Sequence, residues 1–400
     1  MSPHLWIIAS FVVFFLWFMI DLQFSKRFSR RRIQLDHEGR WEELDALFRK
    51  ELRSLRPWTR LTFSLKAPGA LQALYSNFLI IRGRPGEALP YAEDAARRAA
   101  GRHVRLHEQS LAVQALALTD LGRYDEARAA IAKGRALVPD SPQLDHVESL
   151  IHFLHGRLNE AFLPAKRASQ NPKGDVTRGL LSSILLAKGE FQRALEVLLD
   201  RPQDVQAFYP PDSLQTLQRT SSGREYLEAH QKQWAGVIQP LRFIHAAYVY
   251  LELGDLGGLR FSLDKAAEVQ GGAPPLKIIH RELLACLCAS TGDAVGAEQA
   301  IREAQETLRA NPKRSLEGEL RRFTARAYLL LGRSAAAIAE LETCLKSALH
   351  PIEKHKARYW LARAYEASGD AAKAGEAYRA VLADGFESRY AAEAAKASPR

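Results

Sequence analysis

The chain has 400 residues, 47% hydrophobic and 9% aromatic, with 26% charged and a formal net charge of +10. That is enough apolar material for a continuous core and too much for a disordered tail. The basic balance points to anionic partners, and three cysteines (Cys286, Cys288, Cys344) are too few for a disulfide framework. Cys286 and Cys288 stand two apart on a helix and their side chains diverge, so all three read as small apolar filler.

Leu5 to Ile20 is an uninterrupted apolar run. At ~1.5 Å per residue it spans ~24 Å, which Leu22 and Phe24 can extend toward the ~30 Å of a bilayer core. No basic residue precedes it and no small-x-small site follows, so it reads as a retained anchor rather than a cleaved leader. Lys26, Arg27, Arg30, Arg31 and Arg32 come directly after. The positive-inside rule then predicts a single-pass inner (plasma) membrane protein, N-terminus out, with everything beyond in the cytoplasm. The same basic run, Lys26 to Arg32, suits anionic headgroups.

Trp41 to Leu55 carries Trp41, Leu44, Leu47, Phe48, Leu52 and Leu55 on one helical stripe. Pro57 and then Pro68-Gly69 interrupt it, and a regular pattern begins. Glycines recur about 31 to 44 residues apart: Gly83, Gly122, Gly156, Gly189, then Gly254, Gly292, Gly332 and Gly369, with Gly39 a weaker first copy. Leu121-Gly122-Arg123-Tyr124-Asp125-Glu126-Ala127 shows the unit: a helix end, a glycine suited to φ > 0, and a new helix opening on acidic residues. Five positions after most glycines stands an alanine. Seven before stands a small residue, from Ser76 and Ala115 to Ala325 and Ala362. Four before stands a mostly larger one, such as Leu118 or Tyr365. Alternating small and large residues at fixed helical offsets is what close helix packing requires.

The spacing breaks between Gly189 and Gly254. Residues 212–235 read as a degenerate hairpin or as a loop with one helix at the groove. The expected divisions are 1–24 (anchor), 25–69 (basic flank and irregular hairpin), 70–200 and 240–390 (the two halves of the array), 201–239 (insert) and 391–400 (a frayed tail).

Small residue, large residue, turn glycine, alanine and a closing proline resemble the tetratricopeptide repeat over roughly residues 70–385, with Gly122, Ala127, Ile131, Gly134 and Pro139 fitting well. The resemblance implies an all-α, right-handed solenoid of helical hairpins, here preceded by one N-terminal transmembrane helix. It also implies a concave wall made by the first helix of each pair, which holds a peptide or protein partner. By that register the wall carries Asn77, His146, Tyr248 and Arg322. Arg326, Lys356, Tyr359 and Arg363 follow, giving a cationic second half that suits an acidic segment. Glu319 and Glu366 are placed to pair with these arginines instead. Asn77 matches one register of carboxylate-gripping repeats, but Ala73 and Val113 stand where that subfamily has a lysine and a second asparagine. The layout is also similar to bacterial lipopolysaccharide assembly protein B, an anchored cytoplasmic array, without its paired Cys-x-x-Cys metal domain.

Chemistry is thin. His103 with His107, and His152 with His155, have helical spacing for a shared metal but no thiol or carboxylate placed to complete a site. No phosphate-cradling loop or nucleophile elbow occurs. The expectation is a non-enzymatic scaffold with no cofactor. RNA binding is the rival, weakened by the lack of a base-reading set recurring in each repeat.

Overall fold

Each hairpin turn is closed by its glycine. In the computed structural model the eight turn glycines all have φ between +72° and +83°. At the second of them the Gly122 N–H donates to the Thr119 carbonyl at 3.0 Å and the Arg123 N–H to Leu118 at 2.8 Å. The same reach back, from the residue after the glycine to the larger residue four before it, recurs at Arg84, Arg157, Glu190, Asp255, Asp293, Arg333 and Asp370. Only a residue without a β-carbon takes this left-handed position at no cost.

The structure describes residues 27–28, 30–32, 34–35, 40–54, 69–170, 175–199, 239–267, 274–310, 314–347 and 350–397. Among them every element is an α-helix. A first helix, α1 (Trp41–Ser54), precedes paired helices: α2 (Ala70–Ile81) with α3 (Pro85–Ala99), α4 (Val104–Asp120) with α5 (Tyr124–Leu137), α6 (Pro142–Leu154) with α7 (Leu158–Ser169), and α8 (Asp175–Lys188) with α9 (Phe191–Leu199). Then come α10 (Gln239–Leu253) with α11 (Leu256–Ala267), α12 (Pro274–Ser290) with α13 (Ala294–Ala310), α14 (Arg314–Leu330) with α15 (Ser334–Ser347), α16 (Pro351–Ser368) with α17 (Ala371–Ala383), and α18 (Arg389–Ala397).

The small residues sit where the helices touch. Ala127, Ala115, Ala161 and Ala297 are wholly or almost wholly buried, as are Ser76 and Ser149. In two hairpins the buried serine also holds the partner helix. Ser76 Oγ donates to the Ala88 carbonyl at 2.9 Å, and Ser149 Oγ to Ala161 at 2.8 Å. α1 joins the core through Leu44 and Phe48. Asp45 ties it further, accepting from Tyr75 Oη at 2.6 Å and Arg84 Nη1 at 3.1 Å.

Three expectations meet the structure differently. No helix among the described residues is long and apolar enough to cross a membrane. The placement as a single-pass inner-membrane protein with cytoplasmic repeats is corrected on that ground. Leu5 to Ile20 itself, and the insert at 201–238, lie outside the described residues. The layout likeness to lipopolysaccharide assembly protein B rested on that anchor and is not shown by the described residues. The third concerns the tail. Instead of fraying after Tyr390, residues 389–397 form α18, with Tyr390 and Ala394 buried.

Hairpins stack on their neighbours, as a solenoid requires, but the stack also meets itself. α16 packs against α6, and α18 against α8. Ile352 of α16 belongs to the same apolar cluster as Phe153 and Leu154 of α6. Tyr124 Oη and His350 Nδ1, 226 residues apart, are 2.8 Å from one another.

Candidate interaction surface on the axial wall

Polar side chains of the first helices meet one another from hairpin to hairpin. Tyr248 of α10 donates to Glu319 Oε1 of α14 at 2.5 Å. Arg322, one turn along from Glu319, stands 3.6 Å from the same carboxylate, its guanidinium 4.3 Å from the Phe323 ring centre. Arg326 pairs with Glu252 at 2.5 Å, donates to the Leu251 carbonyl at 3.2 Å, and lies 4.6 Å over Trp360. Lys356 has its ammonium 5.4 Å from the ring centre of Phe153 on α6. Tyr359 is buried and donates to Glu393. Arg363, half-exposed, reaches Tyr359 Oη at 3.3 Å and Glu366 at 3.2 Å.

Of the eight residues expected on this wall, Glu319 thus links Tyr248 and Arg322, and Tyr359 holds Arg363. Asn77 stands apart, exposed on α2. His146, on α6, has a buried Nδ1 with no hydrogen-bond partner. Burial pushes its pKa down to about 4. Glu319 and Glu366 do pair with arginines, while Arg326 takes Glu252, an acidic residue on another hairpin.

Glu252, Arg389 and Glu282 stand among these side chains, and Arg242 lies beside Arg178. Glu252 receives Arg389 of α18 at 2.5 Å as well as Arg326. Burial alone would raise its carboxyl, but the two guanidiniums overcome that and hold it at about 2. Glu282 is 1% exposed and neither carboxylate oxygen has a partner. Burial, with Glu319 nearby, raises it well above the carboxylate range. Arg242 has Nε and Nη1 buried without an acceptor. Burial lowers its pKa and Arg178 adds to the effect. The close seat of α8 on α10 depends on Gly179, whose β-carbon would stand 2.6 Å from the His245 ring. The register that yields Arg322, ten before its turn glycine, also yields Glu282. No periodic signal marks Glu252, Arg242 or Arg389.

The profile of the tetratricopeptide repeat family matches residues 355–383. The human IFIT1 dimer with PPP-AAAA is similar in structure at 15% identity, with 92% of this chain and 83% of that one covered and a TM-score of 0.50. The apo form of the quorum sensor NprR from B. thuringiensis is 13% identical, covering 90% and 97%, at 0.46. A tetratricopeptide repeat protein from Parabacteroides merdae is 13% identical, covering 82% and 96%, at 0.30. No curated protein matches the chain by sequence. The described residues form an array of helical hairpins, and the hairpin at residues 355–383 matches the tetratricopeptide repeat.

Proposed function

We propose that the array is a protein-interaction scaffold whose axial wall takes an acidic segment of a partner. The observation that carries this reading is a surplus of positive charge without acceptors. No carboxylate among the described residues lies within ion-pair distance of Lys356 or Arg242, and two Arg242 nitrogens lack any acceptor. Burial lowers both groups. Carboxylates delivered by a partner would supply the missing acceptors and reverse that penalty. Arg322, whose acidic neighbour stands at 3.6 Å, and half-exposed Arg363 extend the same surface. Arg326 contributes least, because Glu252 already neutralises it.

RNA is the second reading. Arg178 stands near enough to Arg242 to add to the lowering of its pKa, and phosphate oxygens suit neighbouring guanidiniums as carboxylates do. Human IFIT1, which shares the fold, is described with PPP-AAAA. The test titrates a labelled oligoglutamate and a labelled oligoadenylate into the full chain and into Arg242→Gln/Lys356→Gln. Oligoglutamate affinity falling by about tenfold or more, with oligoadenylate indifferent, supports the acidic segment. Binding of oligoadenylate alone, with a steep salt slope, favours RNA. Binding of neither removes both readings.

A further inference from the structure

Between α17 and α18 the chain leaves its own hairpin and reaches across to two others. Ser388 and Tyr390 face home: Ser388 Oγ is 2.7 Å from His355 Nε2, and Tyr390 lies in the cluster of Tyr359, Tyr378 and Val381. Phe386, Glu387 and Arg389 reach the other hairpins, Phe386 while its ring also stands 4.7 Å from that of His355. The ring of Phe386 fills the space over Gly156, where a β-carbon would stand well inside van der Waals contact with it. Glu387 accepts from Asn159 Nδ2, 228 residues earlier. Asn159 is oriented for this by Lys188 Nζ, 2.7 Å from its Oδ1. Arg389 lies 5.3 Å over the Phe191 ring and pairs with Glu252 at 2.5 Å.

Gly156, Asn159, Phe191 and Glu252 therefore form one receptor: a bare backbone for a ring, an amide for a carboxylate, and an aromatic face beside a buried acid for a guanidinium. All four come from earlier hairpins than the segment they hold. The grip is also detachable. Glu252 keeps Arg326 at 2.5 Å when Arg389 leaves, so no carboxylate is stranded. Asn159 and Glu387 meet at an exposed position. Tyr124 with His350, and Ile352 in the α6 cluster, hold α16 in place independently.

We propose that this notch is a peptide-recognition surface, filled here by the chain's own Phe386–Arg389, and that its partner is a protein segment of the same chemistry: an aromatic residue, an acidic residue beside it, and an arginine three positions after the aromatic. The chain's own segment then acts as a built-in competitor. This surface shares Glu252 with the axial wall but neither Arg242 nor Lys356, on which the acidic-segment reading rests, so neither test decides the other.

The experiment uses a fluorescein-labelled peptide of residues 383–397, measured by anisotropy against the full chain. Phe386→Ala/Arg389→Ala empties the notch, and that variant binds the peptide saturably. Wild type binds it about tenfold or more weakly, because the site is occupied. Arg389→Ala alone, which leaves the Phe386 ring in place, gives an intermediate affinity and covers the case in which the double variant does not fold. A peptide with Ala at both Phe386 and Arg389 does not bind. Equal affinity for wild type and the emptied variants, no binding to either variant, or binding that ignores the change in the peptide overturns the proposal.

Discussion

The ring of Phe386 occupies the place where a β-carbon on Gly156 would begin. Gly122 has nearly the same backbone, φ +75° against +73°, but open space around it. The two glycines thus separate backbone strain from steric exclusion. Gly122→Ala is expected to cost about 1–2 kcal/mol, the strain of a left-handed alanine. Gly156→Ala adds expulsion of the ring, so its thermal melt falls further and proteolysis near residue 386 accelerates. Equal melts for the two variants would mean that Phe386 contributes nothing.

Ala127 is fully buried in the α4–α5 contact, and so is Ala115. Ala127→Leu overpacks this contact and is expected to cost roughly 1–3 kcal/mol in a chemical denaturation series. Ala127→Gly, which fits the space but loosens the helix, should cost about 1 kcal/mol.

Ser149→Ala deletes the bond to the Ala161 carbonyl without changing the packing around it. The expected loss is about 1 kcal/mol. Ser149→Cys, similar in shape but a weak donor, should recover little of it.

Glu282 gives a pH signature. Its folded pKa is raised above the unfolded value, so above pH 4.5 the folded protein holds a proton that the unfolded chain has released. Stability from this residue therefore falls as pH rises from 4.5 through the folded pKa. Glu282→Gln removes the titration. Its melting temperature should exceed wild type at pH 8 and match it near pH 4.

The histidines act in the opposite sense. Burial holds His146, His245 and His350 at about 4 against an ordinary 6.5. Between those values the unfolded chain binds more protons, so stability is lost as pH falls from 6.5 toward 4. At pH 5 the loss is up to about 2 kcal/mol for each. A melt recorded at pH 7 and pH 5 checks this, and His146→Gln should flatten the difference.

The repeat itself was legible because its determinants are local. Gly122, Ala115 and Ala127 lie within one hairpin, and their offsets return with each copy. The wall register likewise located Tyr248, Arg322 and Lys356 on first helices. Their partners were not legible. Glu252 meets Arg326 and Arg389 from different hairpins, a pairing set by how the stack curves and not by any spacing. The tail was misread for the same reason: Ala391 to Ala397 looks like a fraying end until Tyr390 finds Tyr359. The apolar run Leu5 to Ile20 was read by length and flanking charge alone, with no bearing on how the hairpins close.

Contact of α16 with α6 changes how the protein is made and unmade. An open repeat array has short-range topology, and its outer units can melt singly. Here Tyr124 waits for His350, and Gly156 for Phe386, so these contacts form last on a ribosome that has already released the earlier hairpins. During that interval Gly156 and the apolar face of α6 are uncovered, and contacts that the finished chain makes with itself are open to another chain. Once closed, the loop ties the hairpins into one cooperative unit, and unfolding should show a single transition where an open array of this length would show gradual loss from its ends.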